Sequence, residues 1–148
     1  MINIRRLKQQ DREIYVSMAE KFYSTDAVAK KVDSKHFYLA FDEIMKRDTY
    51  ASAYILEYGD KVAGYVLLAK TYSQEAGGIV IWVEEIFVEE NFRGKGIARA
   101  FFEFLLKTKE ADVKRIRLEV EKENEGAVRI YKSFGFDFLE YDQMIIDF

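Results

Sequence analysis

The sequence predicts a single mixed α+β domain in which a mostly antiparallel sheet is flanked by helices. Several short segments alternate apolar and polar residues, as half-buried strands do. Four longer segments instead repeat apolar residues every three or four positions, as amphipathic helices do. With 148 residues, of which 49% are hydrophobic, the chain can bury one substantial core. We therefore expect residues 1–148 to form one domain.

The first part of the chain predicts a strand, two helices and a three-strand meander. Ile2 and Ile4 alternate with polar residues and predict the first strand. Apolar spacing then predicts helices over residues 11–23 and about 34–46, the second capped by Asp33 or Ser34. Residues 50–58, 62–72 and 78–88 predict antiparallel strands, joined by a tight turn at 59–60 and a hairpin loop at 73–78.

The second part of the chain predicts two further helices and three further strands. Ile97, Phe101 and Leu105 share one face of a helix that follows a glycine-rich loop. Residues 115–120 alternate as a strand, and a helix beginning at Asn124 should end at Gly135. Residues 136–140 and 143–147 predict two final strands, so the expected order is β-α-α-β-β-β-α-β-α-β-β.

Composition excludes several classes of function. The chain has no cysteine, which removes disulfides, thiolate metal sites, a cysteine nucleophile and any covalent thioester intermediate. If the protein transfers a group, we therefore expect that group to pass directly from donor to acceptor. Its only histidine, His36, lies at the predicted exposed start of the second helix, and we predict no metal site. No signal pattern or apolar run of about 20 residues is present, so we expect a soluble cytoplasmic protein without a membrane partner.

Charge is distributed unevenly along the chain. The formal net charge is −3, which argues against nucleic acid as a partner. Residues 84–148 carry 11 Lys and Arg against 15 Asp and Glu, whereas residues 1–83 are nearly balanced. Because the acidic excess falls in the half that holds the glycine-rich loop, it favours a cationic substrate.

The segment from Trp82 to Ala98 has the pattern of a phosphate-binding turn. An apolar strand leads into an acidic loop, and Arg93-Gly94-Lys95-Gly96 opens the next helix. Glycines let the backbone approach an anion closely, and the N–H groups and dipole of a helix start attract negative charge.

Two common phosphate-binding motifs fit this segment poorly. A Walker A loop needs Ser or Thr after Gly-Lys, but Gly96 follows Lys95. A dinucleotide fingerprint would need Gly or Ala at Arg99 and would normally open the first βαβ unit of its domain. A third alternative, a turn without a ligand, explains the glycines but leaves the flanking cations and the downstream segment unexplained.

Two motifs resemble signatures of the GNAT superfamily of acyl-CoA-dependent N-acyltransferases. Residues 93–98, Arg-Gly-Lys-Gly-Ile-Ala, match its central pattern of Arg or Gln, two residues, Gly, one residue, and Gly or Ala. Residues 124–136 resemble its downstream segment of Asn, Ala, Tyr and a closing Gly-Phe. The motifs and the element order together span nearly the whole chain, so the resemblance implies the GNAT fold over residues 1–148.

The resemblance also implies which residues bind acetyl-CoA. In the family, the loop amides hold the CoA pyrophosphate, the preceding strand lends its backbone to the pantetheine arm, and an asparagine of the second motif hydrogen-bonds that arm. The corresponding residues are Arg93, Gly94, Lys95, Gly96, Ile97, Ala98 and Arg99 at the pyrophosphate, Ile86, Phe87 and Val88 along the arm, and Asn124.

Tyr131 is the implied general acid. It lies seven residues, or two helical turns, after Asn124, so the two side chains should face one cleft. In the family this tyrosine protonates the departing CoA thiolate, which suits a phenol whose pKa of about 10 lies above that of a thiol. The alternative is a core tyrosine on an apolar helix face.

Glu84 and Glu85 are the candidate general bases. An alkylammonium, with a pKa of about 10.4, must lose a proton before it can attack a thioester. The family's acidic position, four residues before the valine that ends the strand, favours Glu84, and Glu85 is the second candidate. The resemblance places the oxyanion at a backbone N–H of Phe87 or Val88. The alternative is that both glutamates are solvated or cation-binding groups without a role in proton transfer.

The predicted function is therefore transfer of an acetyl group from acetyl-CoA to a primary amine, favouring a small cationic one, by direct attack in a ternary complex. The alternatives are a protein N-terminal or lysine acetyltransferase, a non-catalytic acyl-CoA sensor on the same fold, and a nucleotide-binding module. The resemblance also implies a homodimer, formed through the exposed edge of the final strands.

Overall fold

The computed structural model describes residues 1–25 and 30–148 and has the expected mixed α+β architecture. Its strands are β1 (Ile2–Arg6), β2 (Ala51–Tyr58), β3 (Lys61–Ser73), β4 (Gly78–Val88) and β5 (Val113–Leu118). Its helices are α1 (Arg12–Tyr23), α2 (Lys35–Lys46), α3 (Ile97–Thr108) and α4 (Glu125–Ser133). Two single 3₁₀ turns, Gln9–Asp11 and Glu90–Phe92, precede α1 and the glycine loop.

The five strands form one sheet in the order β1-β2-β3-β4-β5. β1 to β4 pair with one another in antiparallel fashion, and β2, β3 and β4 confirm the predicted meander. β5 runs parallel to β4, because α3 carries the chain back across one face of the sheet. Only a 3₁₀ turn and the glycine loop separate the end of β4 from the start of α3.

Helices cover both faces of this sheet. α1 and α2 cover one face of the sheet and bury an aromatic cluster that includes Tyr15, Phe41 and Tyr65. The α3 face buries a second cluster around Phe101 and Phe102, against which α4 packs. The second core explains the deeply apolar face predicted for α3, since both phenylalanines are fully buried.

A charged network fixes the N-terminal strand to the start of α1. Both terminal nitrogens of Arg5 bond Asp11, at 2.7 and 3.0 Å, and its Nε donates to Glu57 at 2.6 Å. The backbone N–H of Lys8 also donates to Asp11 at 2.8 Å. Burial alone would raise the pKa of Asp11, but the Arg5 guanidinium and the Lys8 amide outweigh it and hold this pKa below its ordinary value.

The end of α4 has the predicted Schellman geometry. The N–H of Phe136 donates to Tyr131 O at 3.2 Å, and the N–H of Gly135 donates to Lys132 O at 3.0 Å. Gly135 takes a φ of 94°, which a side chain would disfavour. The rings of Phe136 and Tyr131 then lie 5.9 Å apart, so this cap also fixes the position of the candidate acid.

The prediction of two final strands is wrong. Residues 136–148 form no strand, and the sheet ends at β5. Alternation of apolar residues specifies an extended chain, but a strand also needs a partner edge, and this segment leaves apolar side chains such as Met144 and Ile146 exposed. It is held instead by a hydrogen bond from Tyr141 to Glu75 and an ion pair between Lys30 and Asp147. The predicted dimer edge is therefore absent, and a homodimer stays a prediction.

Three expectations concern features outside the core. His36 is exposed near the start of α2, as predicted. In the part of the chain that the structure describes, no three His, Cys, Asp or Glu side chains are grouped to hold a metal ion. None of the helices there is long and apolar enough to cross a membrane.

Candidate active site

A cleft opens where β4 and β5 separate. Their parallel pairing begins at Ile79 and Val113 and ends at Val83 and Leu118, so residues 84–88 have no strand on that side. The cleft has a volume of about 510 Å³. It is lined by the C-terminal end of α1, residues 82–86 of β4, residues 118–121, and Asn124, Ala127 and Tyr131 at the start of α4 and along it.

A β-bulge in β4 determines where the two candidate bases point. Val83 pairs with Leu68 and Glu85 pairs with Leu67, so Glu84 is an extra residue without a partner across the ladder. In an ideal strand adjacent side chains would face opposite sides. Because of the bulge, both glutamates line the same cleft.

Glu85 is buried and hydrogen-bonded to a tyrosine. Only 5% of the residue is exposed, and the hydroxyl of Tyr65 donates to its Oε2 at 3.2 Å. Tyr23, at the end of α1, lines the same cleft. Burial raises the pKa of Glu85 above its ordinary value, with a smaller contribution from Glu84, while both phenols act in the opposite direction.

Glu84 is exposed to the cleft, and its carboxylate has fewer contacts than that of Glu85. Within residues 1–25 and 30–148 it forms no hydrogen bond or ion pair. Partial desolvation raises its pKa, and the neighbouring carboxylate of Glu119 raises it further. A carboxylate in this setting can take up a proton at a higher pH than a fully solvated one.

The backbone of β4 beyond the bulge presents polar groups to the cleft side. The N–H of Glu89 donates to Ala63 O on β3 at 2.8 Å, and the backbone groups of consecutive strand residues point in opposite directions. The backbone N–H and C=O groups of Ile86 and Val88 therefore point away from β3, towards the side of β4 that β5 no longer covers. The N–H of Phe87 points towards β3, so of the two residues expected to bind the oxyanion only Val88 has its N–H on the open side.

The glycine loop has the geometry expected of an anion site. Gly94 and Gly96 take positive φ angles of 73° and 79°, which side chains disfavour although a Cβ at either would meet no neighbouring atom. Gly96 is the N-cap of α3 and supplies no side-chain cap, so the N–H groups of the first turn, including those of Ile97 and Ala98, lack helical partners. Ile97 is buried and anchors this turn to the core. Exposed amides at a helix start suit a pyrophosphate.

The three loop cations differ in their contacts. Arg93 donates its Nε to Val88 O at 3.0 Å, which ties the loop back to the end of β4. The Nζ of Lys95 and the guanidinium of Arg99 each lie over an aromatic ring, 5.7 and 5.2 Å from its centre. All three residues are exposed, and Arg93 keeps its terminal nitrogens free of this contact.

Asn124 and Tyr131 both line the cleft, as their spacing predicts. Asn124 caps α4 by accepting the N–H of Ala127 at 3.2 Å, which leaves its amide NH₂ for a ligand. Tyr131 packs edge-on against Phe102 at 5.5 Å, and burial raises its pKa above the ordinary value. Its phenol therefore stays protonated at neutral pH and can act as an acid.

The structure adds cleft residues that sequence reasoning missed. Phe22 and Tyr23 come from the end of α1, and Glu119 and Glu121 come from the segment after β5. Their positions depend on how α1 and residues 119–121 pack against β4, and no motif in the sequence marks them.

A larger cavity of about 940 Å³ lies between β5, the end of α4 and residues 136–143. Tyr131 borders it too, but Glu84 and Glu85 do not. The smaller cleft is therefore the better candidate, because the acidic and phenolic groups meet there.

Comparison with known proteins agrees with this geometry. The spermine/spermidine N(1)-acetyltransferase of Bacillus subtilis is 28% identical over 87 residues, which are 56% of this chain and 57% of that protein. The chain thus spans little more than half the length of this curated relative.

Solved structures share the fold along nearly the whole chain. A possible acetyltransferase from Clostridium difficile superposes with a TM-score of 0.80 at 21% identity, covering 99% of both chains. The aminoglycoside N-acetyltransferase AAC(6')-Iy, solved with CoA, gives a TM-score of 0.79 at 15% identity and covers 99% of this chain and 95% of that one.

The family model for the GNAT acetyltransferases matches residues 12–136, a range that runs from α1 to the Schellman cap of α4. It includes both candidate motifs and the whole cleft. The chain belongs to the GNAT acetyltransferase family.

Proposed function

We propose that this protein transfers the acetyl group of acetyl-CoA to a primary amine of a small cationic acceptor. The supporting observation is the cleft itself, in which two carboxylates and a phenol line the gap between β4 and β5. The glycine loop, which gives α3 no side-chain cap, follows the open end of β4 after one 3₁₀ turn.

The chain supplies three groups that fit acetyl-CoA. The amides of residues 94–98 would bind the pyrophosphate, and Arg93, Lys95 and Arg99 would supply positive charge around it. The open backbone groups of Ile86 would pair with the amides of the pantetheine arm, much as an added strand pairs with a sheet edge. The free amide NH₂ of Asn124 would bind the same arm from α4.

Transfer then needs a base, an oxyanion donor and an acid. Glu84 accepts a proton from the acceptor's ammonium, and the freed nitrogen forms a bond to the acetyl carbon. The N–H of Val88 stabilises the negative charge on the carbonyl oxygen. The C–S bond breaks as Tyr131 gives its proton to the sulfur. The nitrogen then loses its second proton, which returns through water to the Tyr131 phenolate, and Glu84 releases the proton it took up to bulk solvent.

Glu84 suits the role of base better than Glu85. Its carboxylate is open to the cleft and free of partners among the described residues, whereas Glu85 is buried and already accepts a hydrogen bond from the Tyr65 phenol. Glu85 therefore contributes negative charge and hydrogen bonding beside the reacting nitrogen.

A cationic acceptor is favoured by the charge of the cleft. Glu84, Glu85, Glu119 and Glu121 line it, and no lysine or arginine does among the residues that the structure describes. A flexible polyamine or an amino sugar carries several ammonium groups that such a surface attracts. Relatives named for spermine, spermidine and aminoglycosides are consistent with this substrate class.

The test is thiol release from acetyl-CoA in the presence of spermidine, an aminoglycoside, and peptides with a free N-terminus or a lysine. We expect spermidine or the aminoglycoside to be acetylated, with the product mass raised by one acetyl group. Acetylation of the peptides alone would overturn the cationic small-molecule proposal. Release no faster than hydrolysis with every amine would overturn the enzymatic one and favour an acyl-CoA sensor.

A further inference from the structure

Residues 136–148, the tail of the chain, leave a run of apolar side chains exposed. Ile145 and Ile146 are 74% and 77% exposed, and Met144 and Phe148 are more exposed still. Single apolar residues on a surface are common, but a contiguous group of them indicates a surface that meets a partner. Half of residues 143–148 are isoleucine or phenylalanine, which are residues that strands favour.

The outer edge of β5 is an unoccupied place for a strand. β5 is the last strand of the sheet, and no backbone hydrogen bond joins it to residues 136–148 of the described chain. The cavity of about 940 Å³ lies between this edge and residues 136–143, and we call it the β5 groove. An open edge presents a row of backbone N–H and C=O groups that pairs readily with an added strand.

The tail and the β5 groove are complementary in charge, character and length. β5 carries three cations and no acid, whereas the tail carries four acids and no cation. The groove also has apolar residues along it, among them Ile116, Leu118 and Val128. β5 has six residues, a strand of about 20 Å, and residues 143–148 have the same length when extended.

Only weak contacts hold the tail where it lies in the single chain. The hydroxyl of Tyr141 donates to Glu75 at 3.2 Å, and Lys30 forms an ion pair with Asp147 at 3.1 Å. The two side chains of that ion pair are mostly exposed, so it contributes little to stability. Residues 143–148 can therefore leave this position at small cost.

The tail of the same chain is poorly suited to fill the β5 groove. Residues 136–143 form the opposite wall, so residues 143–148 would have to reverse direction tightly to enter beside β5. Two-residue hairpin turns place residues at positive φ, which the described residues adopt only at glycines, and no glycine follows Gly135. The tail of a second copy can enter extended and needs no such turn.

We propose that residues 143–148 of one copy pair with β5 of a second copy, and that the exchange is reciprocal. Every copy has both the groove and the tail, so a twofold dimer satisfies both surfaces at once. This interface uses the edge of β5 and needs no pair of final strands, unlike the dimer that the sequence motifs imply.

The exchanged strand would lie beside the candidate active site. Tyr131 and residues 118–120 border both the β5 groove and the cleft that holds Glu84. The tail of the second copy would therefore cover the groove side of the candidate acid.

The first experiment measures association by analytical ultracentrifugation over a wide range of protein concentration. The test variant carries Ile145→Glu and Ile146→Glu together, because successive residues face opposite sides of a strand and one of them must meet the groove. Both side chains are exposed in the single chain, so the variant should fold, which circular dichroism checks. The control carries Ile14→Glu and Leu39→Glu, which add the same charge at exposed apolar positions on α1 and α2.

We expect the unmodified chain and the control to be dimers, and the tail variant to have a dimer dissociation constant raised about 100-fold by the cost of burying a charge. An unmodified chain that stays monomeric at every concentration would overturn the proposal. So would a tail variant that associates as tightly as the unmodified chain, or a control that is weakened equally, because either result places the interface elsewhere.

The second experiment distinguishes exchange from insertion into the same chain. Since the chain has no cysteine, Lys114→Cys in the groove and Met144→Cys in the tail each introduce a single thiol. When the two variants are mixed and equilibrated, a short dithiol-reactive linker should join one chain of each kind, which intact mass spectrometry identifies. If a chain carrying both substitutions is linked only within itself, its own tail fills the groove and the proposed exchange is wrong.

Discussion

Gly64 provides a sharp test of the β4 backbone as a CoA-binding element. It pairs with Val88 across the β3 and β4 ladder. A Cβ built on Gly64 would lie 2.0 Å from Phe87 O and 3.1 Å from both Phe87 C and Val88 Cα, where ordinary contacts begin near 3.4 Å. Because the obstructing atoms are backbone, Gly64→Ala must displace residues 87–88 by about 1.4 Å, the difference between the ordinary and the forced contact to Phe87 O.

A displacement of that size should be costly for acetyl-CoA. Misplacing a positioning group by about 1 Å can cost about 100-fold in rate, and overpacking costs about 1–3 kcal/mol of stability. We expect Gly64→Ala to weaken CoA binding at least tenfold by isothermal titration and to lower the free energy of unfolding in urea by about 2 kcal/mol.

The matched control is Gly126→Ala in α4. A Cβ there meets no atom within 4 Å, and its φ is not positive, so the change should stabilise the helix by up to about 1 kcal/mol and leave CoA affinity unaltered. CoA affinity within twofold of the unmodified chain in a folded Gly64→Ala variant would refute the assignment of the β4 backbone to the pantetheine arm.

Three further substitutions test the acid, the base and the N-terminal network. Tyr131→Phe should lower kcat about 100-fold with little change in either KM; an undiminished kcat would remove Tyr131 from the chemistry. Glu84→Gln should lower kcat to a similar extent and abolish the acidic limb of the pH profile. In the unmodified chain that limb reflects protonation of the Glu84 carboxylate as the pH falls through its raised pKa. Full activity of the variant across the pH range would exclude Glu84 as the base. Asp11→Asn should lower the free energy of unfolding in urea by about 2 kcal/mol because it weakens the contacts to Arg5. The control is Asp42→Asn, which changes an exposed ion pair and should cost less than about 0.5 kcal/mol. Equal losses in the two variants would contradict the stabilising role of the Arg5–Asp11 network.

Local patterns predict most of this fold because the elements that position the site carry strong signals. The apolar spacing in α3 and the glycines at positions 94, 96 and 135 depend only on neighbours along the chain. The capping role of Asn124 and the shared face of Asn124 and Tyr131 likewise follow from helix geometry.

The parts that sequence reasoning missed depend on contacts between distant segments. The bulge at Glu84 is defined only by its pairing with β3, and it brings Glu84 and Glu85 into one cleft where alternation predicts opposite faces. Tyr23 becomes a site residue because α1 ends beside β4. The segment after Gly135 has a strand-like pattern, but no edge pairs with it, and the pattern alone cannot show that.

The most direct test of the account is a crystal structure of the protein with CoA and spermidine. We expect the pyrophosphate on the amides of residues 94–98, the pantetheine arm along the backbone of Ile86, and the sulfur within hydrogen-bond distance of the Tyr131 hydroxyl. One spermidine nitrogen should lie beside Glu84. CoA bound away from β4, or spermidine bound outside the cleft between β4 and β5, would contradict the central claim.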